Sequence, residues 1–300
     1  MKTNTDTSNL NLVLDAQAIL GEGSFWNYRT QTLWWVDIEG KQLHVFDPKN
    51  KENRSYDLGS RVGTVVPSEK GGAVVALQNG IHHLNLESGS LQLLCNPIKK
   101  IPNIRFNDGK CDPAGRFWVG TMKLDESEKE ASLYKIDLEG KVTEVLSAVT
   151  ISNGIIWARD KKTMYYTDTP TQNVVAYDFD NAKGTLSNER VVVEIPENLG
   201  SPDGMTIDAE GMIWVALFGG YAVVRWNPEN GKLLQKIDIP APNVTSCAFG
   251  GSKLDTLYIT TGREGLDDDQ LKEFPNSGGL FSVKPGVNGV PLDFFKGPIS

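Results

Sequence analysis

Short apolar runs dominated by β-branched and aromatic residues recur along the chain: Leu33-Trp34-Trp35-Val36, Ala73-Val74-Val75-Ala76, Phe117-Trp118-Val119, Met164-Tyr165-Tyr166-Thr167, Ile213-Trp214-Val215-Ala216 and Leu257-Tyr258-Ile259-Thr260. They are too short for core helices and have the composition of buried strands. Aligning Trp35, Val75, Trp118, Tyr166, Trp214 and Ile259 leaves spacings of 40, 43, 48, 48 and 45 residues. A polar turn such as Asp112-Pro113-Ala114-Gly115 or Asp208-Ala209-Glu210-Gly211 precedes each run, and a second strand follows it: Gln42 to Phe46, Gly80 to Leu86, Ser132 to Asp137, Asn173 to Tyr177, Ala222 to Trp226 and Leu280 to Val283.

A further strand comes before each aromatic run and opens on a small, mostly glycine-bearing motif. Its six versions are Gly21-Glu22-Gly23, Arg61-Val62-Gly63, Asn107-Asp108-Gly109, Ser152-Asn153-Gly154, Pro202-Asp203-Gly204 and Val244-Thr245-Ser246. About four strands per ~45 residues, with no amphipathic helix between them, is the signature of propeller blades. The expected fold is therefore all-β: a six-bladed β-propeller with four-stranded blades around a central channel, forming one domain over residues 1–300. Residues 1–10 read as a flexible N-terminal tail, and Asn11 to Leu14 as the strand that completes the last blade and closes the ring.

Innermost strands line a propeller's channel, so equivalent positions on them form a ring. The middle residues of the six motifs are Glu22, Val62, Asp108, Asn153, Asp203 and Thr245, at spacings of 40, 46, 45, 50 and 42. Any one glycine-flanked Asp or Asn is ordinary turn chemistry. Equivalent placement in several repeats points instead to three acids and an amide converging on one axis. Crowded carboxylates raise each other's pKa, and a divalent cation removes that cost. Oxygen donors without His or Cys suit calcium first, with magnesium or manganese, and zinc or iron(II) further down the order. Val62 and Thr245 are poor ligands, which leaves the ring one-sided and open to water and substrate.

Net charge narrows the partners. With 30 Lys+Arg against 38 Asp+Glu the chain carries −8, and it has no basic run to neutralise phosphates, so nucleic acid is not expected. Residues 1–9 lack the apolar core of a signal peptide, and no stretch approaches the ~20 apolar residues of a membrane span. The three cysteines, Cys95, Cys111 and Cys247, are an odd number without a Cys-x-x-Cys pair. A reducing, cytoplasmic setting without a membrane partner follows as the expectation.

At the ring residues the chain resembles the regucalcin/gluconolactonase family of sugar lactonases, the senescence-marker-protein group. The matching stretches are Leu20-Gly21-Glu22-Gly23, Arg105-Phe106-Asn107-Asp108-Gly109-Lys110, Gly120-Thr121-Met122, Ser152-Asn153-Gly154, Ser201-Pro202-Asp203-Gly204-Met205 and Asn243-Val244-Thr245-Ser246. They span all but the ends of the chain, and their order and spacing are more specific than any one of them.

The resemblance implies divalent-metal-dependent hydrolysis of a small sugar lactone to the aldonic acid. It also implies Glu22, Asn153 and Asp203 as metal ligands and Asp203 as catalytic residue. Whether Asp203 takes the proton of the attacking water or only orients the nucleophile stays open. Arg105 and Asn107 are implied in substrate binding, as is Asp125, which falls where family members carry a Glu after Gly-Thr-Met. Ser24 stands where the family usually has Pro. Asp108 is left between ligand and supporting hydrogen-bond partner.

His44, His82 and His83 lie in strands away from the ring and read as packing residues. There is no Gly-x-Ser-x-Gly elbow for a serine hydrolase. Asp267-Asp268-Asp269 reads as the acidic start of a short helix, and the charged loop 123–131 as either a lid over the channel or a solvated loop. The competing functions are a metal-dependent esterase or phosphotriesterase and a non-catalytic calcium-binding or scaffold propeller. The sugar preferred and the oligomeric state have no signal in the sequence.

Overall fold

The computed structural model describes residues 9–299, in which six four-stranded antiparallel sheets stand in a ring. It is a six-bladed β-propeller. Five blades are continuous in sequence, at residues 21–57, 62–95, 104–149, 152–194 and 201–238. Blade 6 combines Asn243–Gly250, Thr256–Gly262 and Leu280–Val283 with Asn11–Leu14, which pairs antiparallel with Leu280–Val283 as its outermost strand. The first and last strands thus close the ring, as the sequence predicts. Most of the tail expected over residues 1–10, up to residue 8, lies outside the described residues.

Burial falls from the axis outward. The inner strands Gly21–Asn27, Val62–Pro67, Ile104–Cys111, Ser152–Trp157 and Asn243–Gly250 are buried at every position, whereas the outer strand Glu52–Asp57 is mostly exposed. The aromatic second strands carry the core between blades: Trp35, Trp118 and Trp214 are each at most 1% exposed. Packing of this kind is why the runs of β-branched and aromatic residues were legible as strands. Asp267–Asp269 behave as expected: Asp267 caps Asp268–Glu273 through a capping box with Gln270.

Every inner strand is bulged at its opening motif. The register against the second strand slips between Glu22 and Phe25, Val62 and Val65, Phe106 and Gly109, Asn153 and Ile155, Pro202 and Met205, and Val244 and Ser246. A bulge re-aims side chains out of the ladder. Glycine is required at Gly154, where φ is +21° and a Cβ would stand 2.7 Å from the Asp203 carbonyl oxygen. Neighbouring inner strands approach that closely, so the channel is narrow.

Residues 284–299 cross the face opposite these bulges. There Ala209 N donates to Asn288 O, Glu69 N to Phe295 O and Lys296 N to Gly115 O, tying blades 5, 2 and 3 to the last stretch of chain. Among the described residues no helix is long and apolar enough to cross a membrane, and all three cysteines are free thiols.

Candidate active site at the channel mouth

Five of the six site residues expected from the sequence, Glu22, Arg105, Asn107, Asn153 and Asp203, line one cavity of about 310 Å³ at the bulged end of the channel. All five are buried, at 5–7% exposure. The Glu22 and Asp203 carboxylates line it side by side, and Glu22 raises the cost of ionising Asp203. Glu22 Oε2 accepts from Gly23 N at 2.9 Å, and Asp203 Oδ1 has no partner. Burial, and then the charge of Asp108, pushes Glu22 up from 4.5 to about 7. Asp203 is held well above the usual carboxylate range, first by burial and then by Glu22 and Asp108.

A directed hydrogen-bond chain fixes the other side. Arg105 Nη1 donates to Asn107 Oδ1 (2.5 Å) and to Phe106 O (3.1 Å). Asn107 Nδ2 donates to Asn153 Oδ1 and to Ser152 O, both at 2.9 Å. Asn153 Nδ2 donates to Thr169 Oγ1, which donates to Pro202 O at 2.8 Å. Both Asn107 N–H groups are therefore spent inside the protein, and its remaining capacity is one lone pair. Arg105 keeps Nε and Nη2 free of these bonds. Burial lowers the Arg105 pKa, and the charges of Glu264, Glu39 and Glu22 oppose that shift.

Asp125, expected among the substrate contacts, is not in the cavity. It is exposed, and its Oδ1 accepts from Ser127 Oγ at 2.7 Å and Ser127 N at 3.3 Å. Those bonds pull its carboxyl below the usual range. Glu126, whose φ is +56°, is the residue that loop 124–130 turns into the cavity. A one-residue shift of register separates the two. Asp108 does not line the cavity either: its Oδ1 accepts from Gly109 N and its Oδ2 is unpartnered. Thr245 ties blade 6 to blade 1 by donating to Gly21 O.

Besides Glu126, three polar residues of the cavity were not among the expected site residues: Thr169, Ser201 and Glu264. Thr169 follows Asp168, whose carboxylate accepts from Thr150 N and Ile151 N, just as Asp37 accepts from Ile19 N and Leu20 N in blade 1. That shared Asp at the end of the second strand was the available signal. Glu264 lies just after Thr256–Gly262, in a loop that strand alternation places on the bulged face. Leu20, Met122, Ile151 and Phe218 form the apolar part of the wall.

The donors fit a hard divalent cation: two carboxylates, one amide oxygen held in orientation, and an unpartnered buried oxygen on Asp203. Among the described residues no group of three or more His, Cys, Asp or Glu is arranged to hold a metal. Asn153 would have to supply the third donor.

The model of the SMP-30/Gluconolactonase/LRE-like region matches residues 20–263. A putative sugar lactone lactonase, YvrE of Bacillus subtilis, is 42% identical over 94% of this chain and 97% of its own length. Regucalcin of Xenopus laevis is 38% identical over 93% and 95%. Among solved structures, a calcium-binding protein, regucalcin, from Agrobacterium tumefaciens superimposes with a TM-score of 0.91 at 27% identity, covering 95% of this chain and 96% of that one.

Proposed function

The chain belongs to the SMP-30/gluconolactonase/LRE-like family, and from that premise we propose that it hydrolyses a small sugar lactone to the aldonic acid at the channel mouth. The observation that carries this reading is the unpartnered, buried Asp203 oxygen facing the Arg105–Asn107–Asn153 chain across one small cavity. Glu22, Asn153 and Asp203 would hold one divalent cation, calcium first, which when bound supplies polarisation of the lactone carbonyl.

The protein's own groups account for the rest. Asp203, whose buried Oδ1 has no protein partner, takes the proton of the attacking water. The water oxygen bonds to the carbonyl carbon, the ring C–O bond breaks, and Asp203 returns the proton to the departing ring oxygen. Arg105 offers its free N–H groups to the carbonyl oxygen as charge develops there. Asn107, its N–H groups spent, positions Arg105 and Asn153 and offers substrate one lone pair. Glu126, rather than Asp125, is placed to accept from a sugar hydroxyl.

The test is proton release from a panel of glucono-, galactono- and xylonolactones, measured against spontaneous opening, with chelator and after single-ion add-back. Acceleration lost on chelation and restored by one ion is expected. A protein that leaves every lactone at its spontaneous rate, with or without added ions, sinks the reading.

A further inference from the structure

Two carboxylates at the cavity mouth have no structural task. Glu126 and Glu264 line it from loops after the second strands of blades 3 and 6. Their main chains are engaged: Glu126 N donates to Lys123 O, and Glu264 O accepts from Asn243 Nδ2. Among the described residues neither side chain takes part in a hydrogen bond or an ion pair. Some other acids are paired with a cation. Glu39, nearby on the same face, takes Arg61 Nε on both oxygens, at 2.7 and 2.9 Å, and Glu69 takes Arg29. The two at the mouth are left charged and facing the opening.

The cavity's charges then sum to one sign. Glu22, Asp203, Glu126 and Glu264 stand against Arg105 alone. Glu264 stands exposed at the rim yet lines the same cavity as Arg105; burial of part of the side chain raises its pKa while the Arg105 charge lowers it, so its charge acts at the entrance.

We propose that Glu264, with Glu126 facing it, is a charge filter that admits uncharged lactones, turns away anionic ones and expels the aldonate product. The proposal rests on the lactonase reading. A sugar lactone carries no charge, and hydrolysis converts its ester into a carboxylic acid that ionises at neutral pH. The same two side chains thus cost the substrate nothing and the product a repulsion. They fix specificity at entry and weaken product inhibition at exit.

The experiment compares kcat/KM for glucono-δ-lactone with that for its phosphate ester at the terminal hydroxyl, together with inhibition by gluconate, on the metal-loaded full chain. Glu264→Gln keeps the shape and the acceptor oxygen and removes only the charge. It is expected to raise the relative kcat/KM of the phosphate ester roughly threefold to tenfold, the size of one carboxylate–anion repulsion in a water-filled site. It should lower the gluconate inhibition constant by a similar factor. Glu264→Lys should go further in the same direction, and higher salt should narrow the preference of the unmodified protein. Glu87→Gln, an exposed acid in the turn between the third and fourth strands of blade 2 on the opposite face, should change nothing.

Unchanged ratios in both Glu264 variants, or a preference of the unmodified protein for the phosphate ester, overturn the filter while lactone hydrolysis stands. A fall in activity toward the uncharged lactone with no change in ratio overturns it too, in favour of hydroxyl recognition by Glu264. If no lactone is hydrolysed, the functional reading fails, and gluconate binding by calorimetry still decides the filter: tightening in Glu264→Gln supports it, and no change overturns it.

Discussion

Asp203 and Asp208 lie on the same stretch of blade 5, at 5% and 0% exposure, and the molecule treats them in opposite ways. Asp208, at the turn end, accepts from Glu210 N (2.9 Å), Met212 N (3.0 Å), Trp214 Nε1 (2.9 Å) and Arg225 Nε (2.7 Å). Asp203, at the bulged end, keeps an oxygen with no partner and sits beside another carboxylate. Blade 3 repeats the contrast. Asp112 takes Ala114 N, Arg116 N, Arg116 Nε and Trp118 Nε1, whereas Asp108 Oδ2 is left unpartnered. Buried polar groups are normally satisfied, because each one left unmade costs the fold. In blades 3 and 5 the acid at the turn end of the inner strand is saturated while the acid at the bulged end keeps an unpartnered oxygen, and that oxygen is stored binding capacity.

Neutralising the two acids of blade 5 in turn separates their roles. Asp203→Asn should lower lactone turnover by roughly a hundredfold or more, the scale of a lost general base. Its melting temperature without metal should not fall, since the substitution removes a like-charge repulsion. A large loss of stability would place Asp203 among the structural acids and remove the contrast.

Asp208→Asn should do the reverse. The amide would aim an N–H at the Trp214 and Arg225 donors, leaving Arg225, whose side chain is 12% exposed, without its buried partner. Breaking a buried pair from one side costs on the order of 3–5 kcal/mol, readable by urea unfolding. Turnover per folded molecule should be unchanged.

A third test uses pH. Glu22 sits at about 7 in the folded chain against 4.5 for an ordinary Glu. Between those values the metal-free folded state binds more protons than the unfolded one, so stability is full below about 4.5 and declines as pH rises through about 7. Asp203, also raised, adds to the same slope. Melting temperature against pH should therefore fall over that window in chelator, and flatten when a divalent cation takes the protons' place. A slope untouched by any divalent ion would argue against a cation between Glu22 and Asp203.

What the sequence made legible follows the same division. The blades could be read because packing between sheets imposes one strand chemistry at each repeat. Glu22, Asn153 and Asp203 stood out together with Val62, Asp108 and Thr245 because all six occupy one register of it, and the family resemblance, not the register, singled out those three. Loops carry no such register. Asp125 was placed at the site by counting from Met122, but the positive φ of Glu126 turns the chain so that the neighbour faces inward. Glu264 lies two residues past its strand, in a loop whose sequence carries no ring motif. Residues 284–299 had no periodicity to read, because they contact the blades through isolated bridges such as Ser68 with Phe295 and Cys111 with Asp293.

The smallest predicted effect concerns how a starved site keeps its shape. Asn153 can serve as a ligand only if its oxygen, not its nitrogen, faces the carboxylates. Two bonds decide that: Asn107 Nδ2 reaching its oxygen and Thr169 Oγ1 taking its N–H. Thr169→Val keeps the volume and deletes the second bond, along with the bond to Pro202 O. One or two such bonds contribute about 1 kcal/mol each to stability, so the melting temperature should move little. Cation affinity should weaken about tenfold, as when a partner orienting a metal ligand is lost, and calcium titration calorimetry reads it directly. If affinity is unchanged, Asn153 is oriented by Asn107 alone, and the chain from Arg105 ends at the amide rather than at Pro202.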